Sequence, residues 1–266
     1  MDTLKEIIKR FCEKYELEFY ENFLLEIVTD ISEYIRKDDS EYYYDRKEQI
    51  DCALGILYED SNERLIILVK VQDTINFLST LLHEYVHLCD YKKLSIIRNN
   101  LIYRELQDEY VFLFWTEFHA THLSYKFFID MYPTEIDVKA VQNEIVVNLI
   151  EYYSSSLRLD KNEAMNKTVR SYGSYLALYD VFGDEVTLYP KQYYYNKIFL
   201  EIYNFLKNHK TFDDFIAVYG NFNDLLLKIG FHGFHKAVFL NFHQIIKGGI
   251  AAEAPRPPVP FAVGNL

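Results

Sequence analysis

The chain has 266 residues, enough for one sizeable core or two modest ones, and half of those residues are hydrophobic. Aromatics reach 17%, from 24 Tyr and 20 Phe, which excludes a disordered chain. A net charge of −12 argues against a non-specific grip on nucleic acid and against an anionic membrane surface, since both need a basic face. The three cysteines, Cys12, Cys52 and Cys89, make no disulfide framework and fit a reducing compartment. The first residues alternate charged with apolar groups, unlike a signal peptide, and no apolar run approaches the length of a membrane span. A cytoplasmic location is the resulting expectation.

Apolar residues at helical spacing predict a first helix over 3–16, with Leu4, Ile7, Ile8, Phe11 and Tyr15 on one face. The same spacing of Leu24, Ile27, Val28, Ile31, Tyr34 and Ile35 predicts a second over 21–37. Residues 37–49 are polar and tyrosine-rich and read as a connection. Tyr42, Tyr43 and Tyr44 there suit surface packing or, alternatively, the lining of a cleft. Two apolar runs, 52–58 and 65–71, flank the turn cluster Glu59-Asp-Ser-Asn-Glu-Arg64 and predict a β-hairpin. Asp73 or Thr74 is placed to cap the helix that follows.

That helix carries His83-Glu84-Tyr85-Val86-His87, a match to H-E-x-x-H. Two histidines four residues apart lie one above the other on a helix, so their imidazoles can grip one metal ion. Glu84 points about 100° round the axis, within reach of a water on that ion, where a carboxylate serves as general base. Leu78, Leu81, Leu82, Tyr85, Leu88 and Cys89 fall on the opposite side and are expected to face a core. Asp90 shares the histidine face, either as an acceptor that fixes a histidine tautomer or as a helix-end group.

A catalytic zinc site needs a third protein ligand and one open position. The metzincin pattern asks for glycine at 90 and a ligand at 93, and Asp90 and Lys93 disfavour it. Downstream, Phe114 to Ser124 reads as a second helix that carries Glu117, with the small residues Ala120 and Ser124 on the same face. Small residues there let this helix approach the histidine helix closely, which makes Glu117 the expected third ligand. His119 and His122 lie on the same helix, as candidates to stabilise an oxyanion or to replace Glu117, with packing as their ordinary alternative.

An apolar hairpin, then Leu82-His83-Glu84-Tyr85-Val86-His87, then Glu117-x-x-Ala120 resembles the ImmA/IrrE-like metallopeptidases over roughly residues 50–130. The resemblance implies a minimal gluzincin core, one zinc ion, and cleavage of a regulatory protein such as a repressor inside the cell. Many members of that group carry a helix-turn-helix module, and none is evident in this chain.

From residue 101 the pattern is helical almost to the end, in segments near 104–130, 135–158, 161–182, 192–208, 211–228 and 234–246. The expected fold class is therefore α+β, mostly α-helical: a minimal zincin core over 1–134 and a helical subdomain over 135–247 packed on it. The subdomain shapes one wall of the cleft or recognises substrate. Residues 248–266, with Pro255, Pro257, Pro258 and Pro260, read as an extended tail, appended or partner-docking. The expected activity is that of a zinc-dependent metalloendopeptidase on a protein or peptide substrate, with His83, His87 and Glu117 as ligands and Glu84 as base. The alternatives are an inactive zincin-type binding or sensor module and an interaction protein whose motif is accidental.

Overall fold

The computed structural model describes residues 2–97, 103, 110–155, 161–186 and 197–228. It is mostly helical, with one small mixed sheet near the N-terminal end. Helix α1 spans Asp2–Tyr15, as its apolar spacing predicts. The segment expected as a second helix instead divides into strand β1, Leu24–Val28, and helix α2, Ile31–Asp38. The break is made by Asp30, whose carboxylate accepts the Glu33 N–H and caps α2. Leu24, Ile27 and Val28 satisfy both periods, and parallel pairing of β1 with a neighbouring strand decides for the strand. The expected connection at 37–49 folds as two short helices, α3, Ser40–Asp45, and α4, Lys47–Cys52. Asp39 caps α3, and Tyr42 and Tyr43 are buried against the sheet's far face while Tyr44 stays exposed.

The hairpin forms as strands β2, Gly55–Glu59, and β3, Leu65–Lys70. The sheet order is β1-β3-β2, with β3 parallel to β1 and antiparallel to β2. Central β3 is buried on both faces. Ile66 and Leu68 meet Ile31, Ile35, Tyr42, Tyr43 and Ile50, while Ile67 and Val69 join the main core. This strict alternation is the period-2 geometry of a strand.

Helix α5, Thr74–Ile97, carries the H-E-x-x-H motif, and Asp73 caps it by accepting the Asn76 N–H. Helix α6, Tyr110–Met131, carries Glu117. Then follow α7, Val138–Ser155, α8, Lys161–Phe182, α9, Lys197–Asn208, α10, Phe212–Ala217, and α11, Tyr219–Lys228. The stretch expected as one helix over 211–228 breaks at Val218. The expected helix at 234–246 and the tail from 248 lie outside the described residues.

One apolar core runs from Ile8 on α1 to Leu226 on α11 and includes side chains of every described helix from α5 onward, so the helical subdomain and the hairpin region share it. Two glycines set the closest approaches. A Cβ on Gly55 would stand 2.3 Å from Thr80 Cγ2 and 3.0 Å from Glu84 Cγ, so only glycine lets β2 lie against α5 at this point. A Cβ on Gly173 would stand 2.6 Å from the Phe118 carbonyl oxygen, so α8 packs backbone to backbone on α6. Helix α5 is consequently covered on most of its circumference: by β2 and β3 on one side and by α6 on the other. No described helix is long and apolar enough to cross a membrane.

Candidate metal centre

His83 and His87 project from α5 toward Glu117 on α6. Their Nε2 atoms stand 3.0 Å apart, and Glu117 Oε2 lies 3.4 Å from His83 Nε2 and 3.8 Å from His87 Nε2. Tetrahedral zinc with ligand bonds of about 2.05 Å sets its ligand atoms about 3.3 Å apart, so the observed spacing brackets the requirement. Three facing atoms that all carry lone pairs form the kind of set a cation holds together, and the site fits a divalent ion.

Burial and the neighbouring charges pull the three groups in different directions. Burial pushes the His83 imidazole down to about 4, which leaves a neutral ring with a lone pair to donate. Burial acts the same way on His87, but Glu117 and the carboxylates of Glu84 and Asp90 hold its pKa above the ordinary value. Burial also opposes charge on Glu117, yet the Arg170 guanidinium and the two histidines hold its carboxyl well below the ordinary range.

A buried chain of hydrogen bonds orients His87. Thr116 Oγ1 donates to Asp90 Oδ2 at 2.7 Å, so its oxygen is left to accept the Nδ1–H of His87 at 2.9 Å. Nε2 of His87 is then the atom turned toward Glu117. Asp90 therefore reaches a ligand through a hydroxyl rather than directly. The same carboxylate accepts from His119 Nδ1 at 2.9 Å. His119 is buried behind the ligands and stacked on Trp115. His122 is also buried, and its Nε2 donates to Asp180 Oδ2 at 3.0 Å. Neither joins the ligand cluster, because each points from α6 into a different helix contact. The expectation that one of them replaces Glu117 or faces an oxyanion has no geometric support.

Glu84 is buried beside the cluster, and burial pushes its carboxyl above the ordinary value. Its Oε2 accepts the Leu57 N–H at 2.9 Å. Leu57 lies at the middle of edge strand β2, and its carbonyl accepts the Tyr103 hydroxyl at 2.8 Å. The outward backbone groups of Leu57, which an extended peptide would need in order to add to this edge, are thus already engaged by the protein's own side chains.

Arg170 on α8 is the site residue that sequence reasoning missed. Its Nε donates to Glu117 Oε2 at 2.6 Å, and its Nη2 lies 3.5 Å from His83 Nε2. Arg170, Gly173 and Ala177 follow one another at i, i+3 and i+7. A cation in line with two small residues on a helix face was the available signal, and it is weak without knowledge of the partner helix. Thr116 and Tyr103 carried no signal of their own. No family model, no curated protein and no solved structure matches this chain.

Proposed function

We propose that the chain is a zinc-dependent peptidase with a gluzincin-type centre, in which His83, His87 and Glu117 hold the ion and Glu84 is the general base. The observation that carries this reading is the convergence of the H-E-x-x-H histidines with a carboxylate from a second helix, all within 4.8 Å of one another. A zinc ion there would supply Lewis acidity, lowering the pKa of a bound water and polarising a scissile carbonyl. Glu84, whose carboxyl burial raises above its ordinary value, would take the water's proton and return it to the leaving amine. The Leu57 N–H holds one carboxylate oxygen of Glu84, and in this reading the other would take the proton. Thr116 and Asp90 keep His87 in the metal-binding tautomer. The substrate class is a protein or peptide. A regulatory protein cleaved inside the cell, as in the ImmA/IrrE-like group, remains part of the proposal, and three free cysteines accord with a reducing compartment.

A second reading, a metal-bound binding or sensor module, is favoured by one observation: both outward backbone groups of Leu57 are occupied, by Glu84 and Tyr103. Elemental analysis and a peptide-library digest separate the outcomes. The peptidase reading expects about one zinc per chain in wild type, loss of it in Glu117→Ala, and cleavage that Glu84→Gln abolishes while it keeps its zinc. Full activity in zinc-loaded Glu84→Gln would overturn the assignment of the base. Zinc without any cleavage in wild type would favour the sensor.

A further inference from the structure

Arg170 stands where a cation is least expected if the site exists only to bind one. Its guanidinium touches Glu117 Oε2 and approaches His83 Nε2, two of the three ligand atoms. Glu117 and His83 are largely covered, whereas the Arg170 side chain is 50% exposed, so the arginine forms the boundary between the ligands and solvent. An arginine cannot shed its charge to relieve repulsion from a dication. Its half-exposed side chain can instead withdraw toward the mouth when an ion takes Glu117 and His83. Its positive charge then stays beside the ion, where an entering anion would meet both.

Building on the metal-centre reading above, we infer that Arg170 couples metal binding to anion binding and receives the negative charge that develops on the scissile carbonyl oxygen. The position is set by the helix packing: Gly173, one turn beyond, presses α8 onto α6 at residues 118–122, which puts Arg170 level with Glu117. A cationic donor beside the place where charge develops stabilises that charge strongly where water is largely excluded. Coupling of this kind is reciprocal, so it is measurable at equilibrium without any substrate. Arg170 competes with the ion for Glu117 in the absence of an anion and aids retention of the ion in its presence.

The test is binding of cobalt(II) to the full chain, by competition with a chromophoric chelator, with and without acetohydroxamate as the anionic probe. Wild type, Arg170→Met and Arg170→Lys are compared, with thermal melting to establish that each is folded. In Arg170→Met, cobalt affinity without the probe is expected to be unchanged or higher, and acetohydroxamate affinity of the loaded protein at least about tenfold lower. Arg170→Lys, which keeps the charge but not the fork, should retain part of the coupling. Equal acetohydroxamate affinity in Arg170→Met and wild type would overturn the inference and leave the metal centre standing. So would a drop in cobalt affinity with Arg170→Met, which would make the arginine only a prop for Glu117. Wild type that binds no cobalt would overturn the metal-centre reading itself.

Discussion

Thr116 shows how much a neutral side chain can decide. With Asp90 taking its proton, its oxygen can only accept, and that fixes which nitrogen of His87 is protonated. Thr116→Val keeps the shape and removes the hydroxyl, so zinc affinity is expected to fall about 10–100-fold with little change in fold, as read by chelator competition. Asp90→Asn should act in the same direction. His122 is a residue-scale prediction of another kind. Burial pushes its imidazole down to about 4 from an ordinary 6.5, against the pull of Asp180. Between those two values the unfolded chain binds a proton that the folded chain refuses. Stability of the metal-free protein is therefore full above about pH 6.5 and declines as pH falls toward 4, by up to roughly 3 kcal/mol for this group. His83, also pushed down to about 4, adds to the same window. Urea titrations from pH 7.5 to 4.5 should show this loss, and His122→Asn should flatten part of it.

At the scale of elements, the site depends on the contact between α6 and α8. The contacts advance in step along both helices, from Arg170 against Glu117, through Gly173 against residues 118–122, to Asp180 against His122 and Lys126. Gly173→Ala places a methyl 2.6 Å from a backbone oxygen that cannot turn aside. The helices must separate, and a cost of about 1–3 kcal/mol is expected in denaturant titrations. The same change moves Arg170 away from Glu117, so zinc affinity should shift as well. A stability loss with unaltered metal affinity would show that the two helices adjust independently. Gly55→Ala tests the other wall. Its methyl would meet Thr80 and the Glu84 side chain, so it should disturb the base before it disturbs the ligands.

At the scale of the molecule, the candidate ligands come from two helices held in one continuous core, so a bound ion would add a further link to the packing and hydrogen bonds that already join them. An ion that binds only the folded state stabilises it by about 2.7 kcal/mol at a hundredfold excess over its Kd. For a chain of this size that is a rise of about 5–10 °C in Tm. Zinc added to wild type should give that rise, and His83→Ala should abolish it. An equal rise in both would place the stabilising ion elsewhere.

The identity of the candidate chemistry was legible in the sequence because it is local. His83, Glu84 and His87 need only one helix to take their places, and that helix announces itself by spacing and by Asp73 at its start. Glu117 was legible one step further out, through the small residues beside it. The mostly helical class, the hairpin and the helices expected near 135–158 and 161–182, found as Val138–Ser155 and Lys161–Phe182, were legible for the same local reason. Strand β1 was not, since Leu24 to Val28 fits either period and only pairing with β3 resolves it. Nor was the burial of α5 on its histidine side, which depends on α6 lying over it. The sequence by itself therefore determined the candidate ligands and the candidate base. Tertiary structure alone decided that Asp90 bonds to Thr116, that His119 and His122 bond to Asp90 and Asp180, that Tyr103 and Glu84 occupy the edge of β2, and that Arg170 lies against Glu117. Each of those outcomes depends on which helix lies against which, and long-range packing leaves no periodic trace in the chain.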